Sequence, residues 1–123
     1  PKNLWKSFTK WTDRLKFVTI ENMSFEKLLL KYDSKDTFFY LDPPYYNFEN
    51  YYESWFEKSQ HLLLRATLKN IQWKFLLSYN DCKEIRELYK DFNISTSKDI
   101  EYTLWKNVHW QRKVVNELYI TNY

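Results

Sequence analysis

No glycine occurs among the 123 residues of this chain. Average usage of about 7% would supply roughly nine. Every motif built on a glycine backbone is therefore excluded: the dinucleotide fingerprint, the Walker A loop, the EF-hand and the nucleophile elbow. If a nucleotide-like cofactor is used, the turn that cradles its phosphate or ribose lies in another segment. Part of the bias is genomic in character. Alanine occurs once, at Ala66, and proline three times, while Lys, Asn, Tyr and Ile abound. That pattern fits an AT-rich gene.

The length suits one small domain. A hydrophobic content of 44% supplies a core and argues against disorder. No apolar run nears the roughly 18 residues of a membrane span, and the N-terminus lacks a signal peptide. Cys82 stands alone, which excludes an internal disulfide and a cysteine-rich metal site. A reducing cytoplasm is the expected compartment, with no membrane partner. The net charge of +3 is too mild to argue for nucleic acid by itself. The first residue is Pro1 and not Met, which suggests a start inside a longer gene.

The first segment, about Lys2 to Lys16, has helical spacing, with Trp5, Phe8, Trp11 and Leu15 on one apolar face. Lys2, Lys6, Lys10 and Arg14 stack on another face, either solvated or against phosphate. Lys16–Glu21 is β-branched and reads as a strand. Ser24 can cap a helix from Phe25 to Tyr32. Asp33–Asp36 is turn-like. Thr37–Leu41 is apolar throughout, as in a strand buried on both faces. Ser54 and Glu57 have capping-box spacing and open a helix to about Gln72. Trp73–Tyr79 is a second buried strand. Asp81 and Glu84 cap another helix, and strands are expected over about Ile94–Leu104 and Val114–Asn122. Alternating helices and strands predict an α/β fold with a largely parallel sheet, closed by a C-terminal antiparallel pair.

Asp42-Pro43-Pro44-Tyr45 ends the first buried strand, because neither proline has an N–H for a ladder. In open α/β sheets, ligands bind at the carboxyl ends of strands. The bland alternative is a proline turn that merely stops a strand. By composition the tetrapeptide arises by chance in roughly one chain in two thousand of this length, so the motif reading prevails.

Phe38-Phe-Tyr-Leu-Asp-Pro-Pro-Tyr45 resembles motif IV of the amino-group DNA methyltransferases. The flanking segments resemble the Dam-type, D12-class N6-adenine group. Lys74–Asp81 resembles the next motif, Asn116–Tyr123 the C-terminal strand, and Arg14–Asn22 the strand before the catalytic one. The resemblance spans nearly the whole chain. It implies a partial Rossmann-like methyltransferase sheet, and, in the family order 3-2-1-4-5-7-6, this chain supplies strands 3 to 7. It further implies S-adenosylmethionine as cofactor and double-stranded DNA as partner. Residues 1–123 are then the C-terminal catalytic part, with 1–16 the end of a recognition region or a linking helix. Related motifs beginning with Ser or Asn serve cytosine-N4 and protein-glutamine methyltransferases, and Asp42 favours adenine.

The residue types suit that chemistry. An exocyclic amine on a purine is a poor nucleophile, because its lone pair is delocalised into the ring. Acceptors against both N–H bonds draw the nitrogen toward a tetrahedral shape. The Asp42 carboxylate is expected to take one hydrogen bond and the Pro43 carbonyl the other, with Pro44 fixing φ beside it. Methyl transfer is then direct and in line. The target base must be flipped from the duplex, and Tyr45 is expected to stack on it, a contact worth about 1–3 kcal/mol.

Further candidates carry open alternatives. By resemblance, Ser24, Phe25 and Asp42 approach the cofactor. Many relatives have an acidic residue where this chain has Ser24, and Ser24 reads equally as a helix cap. Tyr46, Lys106, Arg112 and Lys113 are candidate DNA contacts, the last three in a basic-aromatic stretch that also includes Trp105, His109 and Trp110. That stretch either tracks a phosphate backbone or forms a solvated hairpin loop. His61 reads as structural. Cys82, at a helix start, is a site where a thiol pKa can be lowered.

The family's glycine-rich cofactor loop and its recognition region are not in this sequence. Removing strands 1 and 2 bares one side of the catalytic strand. The chain is then a fragment of a longer enzyme, half of a split enzyme, or a compact remnant in which strand 3 pairs with strand 4. The competing class of function is a non-catalytic nucleic-acid-binding or assembly module that keeps the motif as a relic. Methylation of protein glutamine or RNA shares the chemistry.

Overall fold

In a computed structural model, residues 2–47, 56–101 and 114–123 form helices α1 (Lys2–Leu15), α2 (Phe25–Tyr32), α3 (Lys58–Asn70) and α4 (Lys83–Leu88), and strands β1 (Phe38–Leu41), β2 (Lys74–Asn80), β3 (Asn93–Glu101) and β4 (Val114–Thr121). The four strands make one mixed sheet in the order β1-β2-β4-β3. β1 and β2 are parallel, with Phe39 opposite Phe75 and Leu41 opposite Leu77. A parallel pair needs a crossover, and α3 supplies it. β4 runs antiparallel to both β2 and β3, so one of the three pairings is parallel. The sheet is less parallel than the alternation of elements suggests.

Alternation along the strands decides the core. Phe39, Phe75, Leu77, Tyr79, Leu118 and Ile120 share one sheet face and are no more than 7% exposed. Leu29 of α2, Leu64 and Leu68 of α3, Ile85 of α4 and the adjoining Tyr89 join the same cluster. Burial of one such side chain is worth roughly 1.5–3 kcal/mol. A slip of one residue would turn the whole set outward, so the register is fixed by packing.

The opposite face is more open. Phe38 and Tyr40 are 55% and 62% exposed, which corrects the expectation of a strand buried on both sides. The helices that share the core cover the face that carries Phe39, and the period of two sends Phe38 and Tyr40 the other way.

Two further expectations are corrected. The strand over Lys16–Glu21 does not form. These residues follow α1 as turn and coil, and Phe17 and Ile20 stay 91% and 85% exposed. β-branched residues favour strands through cross-strand packing, and the sheet offers this segment no neighbour. On the apolar face of α1, Phe8, Trp11 and Leu15 remain at least half exposed. α3 begins at Lys58, with Glu57 as its N-cap and not inside its first turn, and with no side-chain cap bond; Ser54 lies outside the described residues. Phe56, just before it, is instead turned into the core. No helix among the described residues is long and apolar enough to cross a membrane.

The start of α4 also differs. Its N-cap is Cys82, and Asp81 makes no cap. The Asp81 carboxylate instead accepts two hydrogen bonds from Arg86, from Nε at 2.6 Å and from Nη2 at 2.8 Å. A bidentate charged pair outcompetes a neutral backbone donor.

Candidate functional site

Both prolines and Tyr45 follow β1 at its carboxyl end, beside the carboxyl end of the parallel β2. Asp42 is solvent-exposed. The Ser78 hydroxyl donates to Asp42 Oδ1 at 2.9 Å. No other residue among those described hydrogen-bonds that carboxylate, so Oδ2 is left without a partner among them. Ser78 itself is 1% exposed. A buried hydroxyl needs a partner, and the strand end supplies one in Asp42.

Asn80, two residues on and therefore on the same face of β2, holds the other end of the loop. Its Oδ1 accepts the Tyr46 backbone N–H at 2.9 Å, and its Nδ2 donates to the Tyr46 carbonyl at 3.2 Å. One side-chain amide thus completes both main-chain groups of Tyr46. The Tyr45 hydroxyl donates to Glu117 Oε1 of β4 at 2.6 Å, and the Tyr119 hydroxyl donates to Glu117 Oε2 at 3.0 Å. The carboxylate holds the Tyr119 phenol above its ordinary range, first through that hydrogen bond and then by burial. Asn47, the residue after Tyr46, has φ of 66°.

Aromatic rings join the loop to α2. Tyr46 meets His61 edge-on at 5.2 Å, His61 meets Phe56 at 4.9 Å, and Phe56 meets Phe25 at 6.0 Å. His61 is buried, with Nδ1 2.6 Å from the Tyr79 hydroxyl oxygen. It is a structural histidine, as its place on a helix suggested. Phe25 is therefore linked to the Asp42 loop through packing. Ser24 occupies the N-cap position of α2 without a side-chain cap bond; its Oγ is buried, and its hydroxyl helps hold the Glu26 carboxyl below the ordinary range. The cap reading of Ser24 is corrected to that extent. Tyr46 is a half-buried ring with Lys58 Nζ 5.7 Å from its centroid.

Lys106, Arg112 and Lys113 lie outside the described residues. Cys82 moves opposite to the expectation for a helix start: burial pushes its thiol up. The backbone N–H groups of Ile85 and Glu84 act the other way but do not offset that desolvation, and the nearby Glu84 carboxylate adds to it.

Sequence reasoning gave no role to Ser78, Asn80 or Glu117. A signal was present for the first two. They are polar residues at alternate positions near the end of an apolar strand, where an unpaired polar group is costly. Glu117 gave no such signal, because its partner is 72 residues away.

One protein-family model, described as D12 class N6 adenine-specific DNA methyltransferase, matches residues 2–103, well over half of the chain. No curated protein matches the chain significantly.

Proposed function

The chain belongs to the D12 class of N6 adenine-specific DNA methyltransferases, and from that membership we propose that it carries the catalytic half of a methyl transfer from S-adenosylmethionine to the N6 amine of a flipped adenine. The observation behind the proposal is the exposed Asp42 carboxylate at a strand end, with one oxygen held by Ser78 and the other open.

In this reading the open oxygen of Asp42 accepts one amine hydrogen and the Pro43 carbonyl accepts the other. Both acceptors draw the nitrogen lone pair out of conjugation. The two acceptors would hold the nitrogen in line with the methyl group that bound S-adenosylmethionine would supply, its sulfur keeping the electron pair of the broken carbon–sulfur bond. The proton shed by nitrogen passes to solvent. Pro44 limits backbone motion beside that carbonyl, so little reorganisation is needed during transfer. Tyr45 stacks on the extruded ring and returns about 1–3 kcal/mol of the unstacking cost. Lys106, Arg112 and Lys113 supply phosphate contacts.

S-adenosylmethionine supplies an electrophilic methyl on a sulfonium. Ser24 and Phe25 are the residues this reading places on one side of its site, Ser24 with a buried hydroxyl and Phe25 packed through Phe56 and His61 toward the Asp42 loop. No glycine turn in this sequence cradles the rest. The complete enzyme in this proposal therefore joins residues 1–123 to a cofactor-loop half, from the same gene or a second chain. We read β1-β2-β4-β3 as 4-5-7-6 of the family order, with β1 the edge on which that half docks. A compact remnant with strand 3 on the catalytic strand is disfavoured, since Lys16–Glu21 forms no strand.

The test is nucleoside analysis of unmethylated duplex DNA after incubation with the complete protein and S-adenosylmethionine. N6-methyladenine is expected. Methyl transfer to protein glutamine or RNA in preference to DNA would redirect the assignment, and no transfer at all would favour a binding module.

A further inference from the structure

We infer that Glu117 is a positioning residue that sets the plane of the Tyr45 ring, a role that rests on the reaction proposed above. Glu117 lies beyond residue 103, where the family match ends. Its carboxylate is the acceptor for two tyrosine hydroxyls, Tyr45 at 2.6 Å and Tyr119 at 3.0 Å. Hydrogen bonds from a hydroxyl to a carboxylate are short and roughly twice as strong as neutral ones.

The geometry explains why this bond matters for a stacking ring. A tyrosine side chain turns about two bonds. Tyr45 is half-buried, and anchoring its far atom fixes both rotations. The anchor is itself rigid. Glu117 is paired with Asn80 across the β2–β4 ladder. The Asn80 amide in turn holds the Tyr46 main chain at 2.9 and 3.2 Å. Neighbouring residues of the loop are thus tied to one ladder rung, Tyr45 by its ring and Tyr46 by its backbone. A platform oriented before the base arrives avoids an ordering cost in the transition state. Tyr119 occupies the second oxygen and keeps the carboxylate from swinging away.

A double-mutant cycle on the complete protein tests the assignment, with kcat and KM read on duplex DNA. Tyr45→Phe keeps the ring and removes the hydroxyl. Glu117→Ala removes the acceptor, and Glu117→Gln keeps one. We expect Tyr45→Phe and Glu117→Ala each to lower kcat about tenfold with KM for DNA nearly unchanged, and the double variant to lose no more than either single. Glu117→Gln should retain most of the activity. Losses that multiply in the double variant, or a Glu117→Ala protein at wild-type kcat, would overturn the role. If Glu117→Ala does not fold, Tyr45→Phe decides alone: a fall in kcat supports the anchor, and wild-type kcat overturns it. A wild-type protein that methylates no adenine sinks the reaction and this role with it, and is distinguishable from a failure of Glu117 alone.

Discussion

Asn47 shows how a chain without glycine makes a left-handed turn. Among the described residues it is the one with positive φ, at 66°, and it follows directly on the Asp42–Tyr46 loop. Asparagine tolerates that region better than other side chains with a Cβ. A β-branched residue there would clash, so Asn47→Val should lower stability by about 1–2 kcal/mol. Asn47→Gly should stay within about 1 kcal/mol of the parent, since relief of strain opposes the added freedom of the unfolded chain. Urea denaturation of the three proteins compares them, and equal midpoints would show that the left-handed turn is not maintained. At this same scale Asp42 was legible as a candidate from its strand and prolines. Ser78 and Asn80 were legible as residues but not as partners, because their roles depend on which strand lies next to β1. Sequence spacing records no such neighbour.

Helix and strand existence was read well from periodicity, and element ends were read less well. β1, β2 and β4 fall within a residue or so of their expected bounds. The misreadings trace to tertiary partners, present where none was expected or absent where one was needed. The spacing makes Asp81 a cap, yet a guanidinium five residues on claims its carboxylate. That pairing also reaches β3, through Arg86 Nη2 to Thr96 Oγ1 at 3.0 Å. Arg86 holds the Asp81 carboxyl below its ordinary value. A depressed folded-state pKa means stabilisation present above the ordinary carboxylate range and lost as pH falls through the folded value. The pair is partly solvent-exposed, so its worth is about 1 kcal/mol or less. Asp81→Asn should therefore be less stable than the parent at pH 7, and the two should converge once the pH falls below the folded-state value of Asp81, which lies under the ordinary carboxylate range. Thermal melts across that range read the difference, and a gap that persists in acid would mean the charge is not its source. The segment Lys16–Glu21 failed for the converse reason: strand propensity without a partner strand yields coil.

On the scale of the whole molecule, the sheet has one packed face and one partly open face, with β1 at its edge. The absence of glycine, first a filter on motif classes, now bears on a specific place. The cofactor-cradling turn that the proposed reaction needs has no candidate residue in this chain, whereas the acceptors for the amine do. Calorimetry with S-adenosylmethionine should accordingly give weak or no heat with residues 1–123 alone, and micromolar binding would mean that this half holds the cofactor unaided.

The central claim is that Asp42 activates the amine. Its most direct test is the rate of N6-methyladenine formation by the complete protein carrying Asp42→Ala, alongside the wild type at matched folding. Loss of such a preset electrostatic partner should lower kcat by about 10²-fold or more. An Asp42→Ala protein that methylates DNA at the wild-type rate would contradict the assignment.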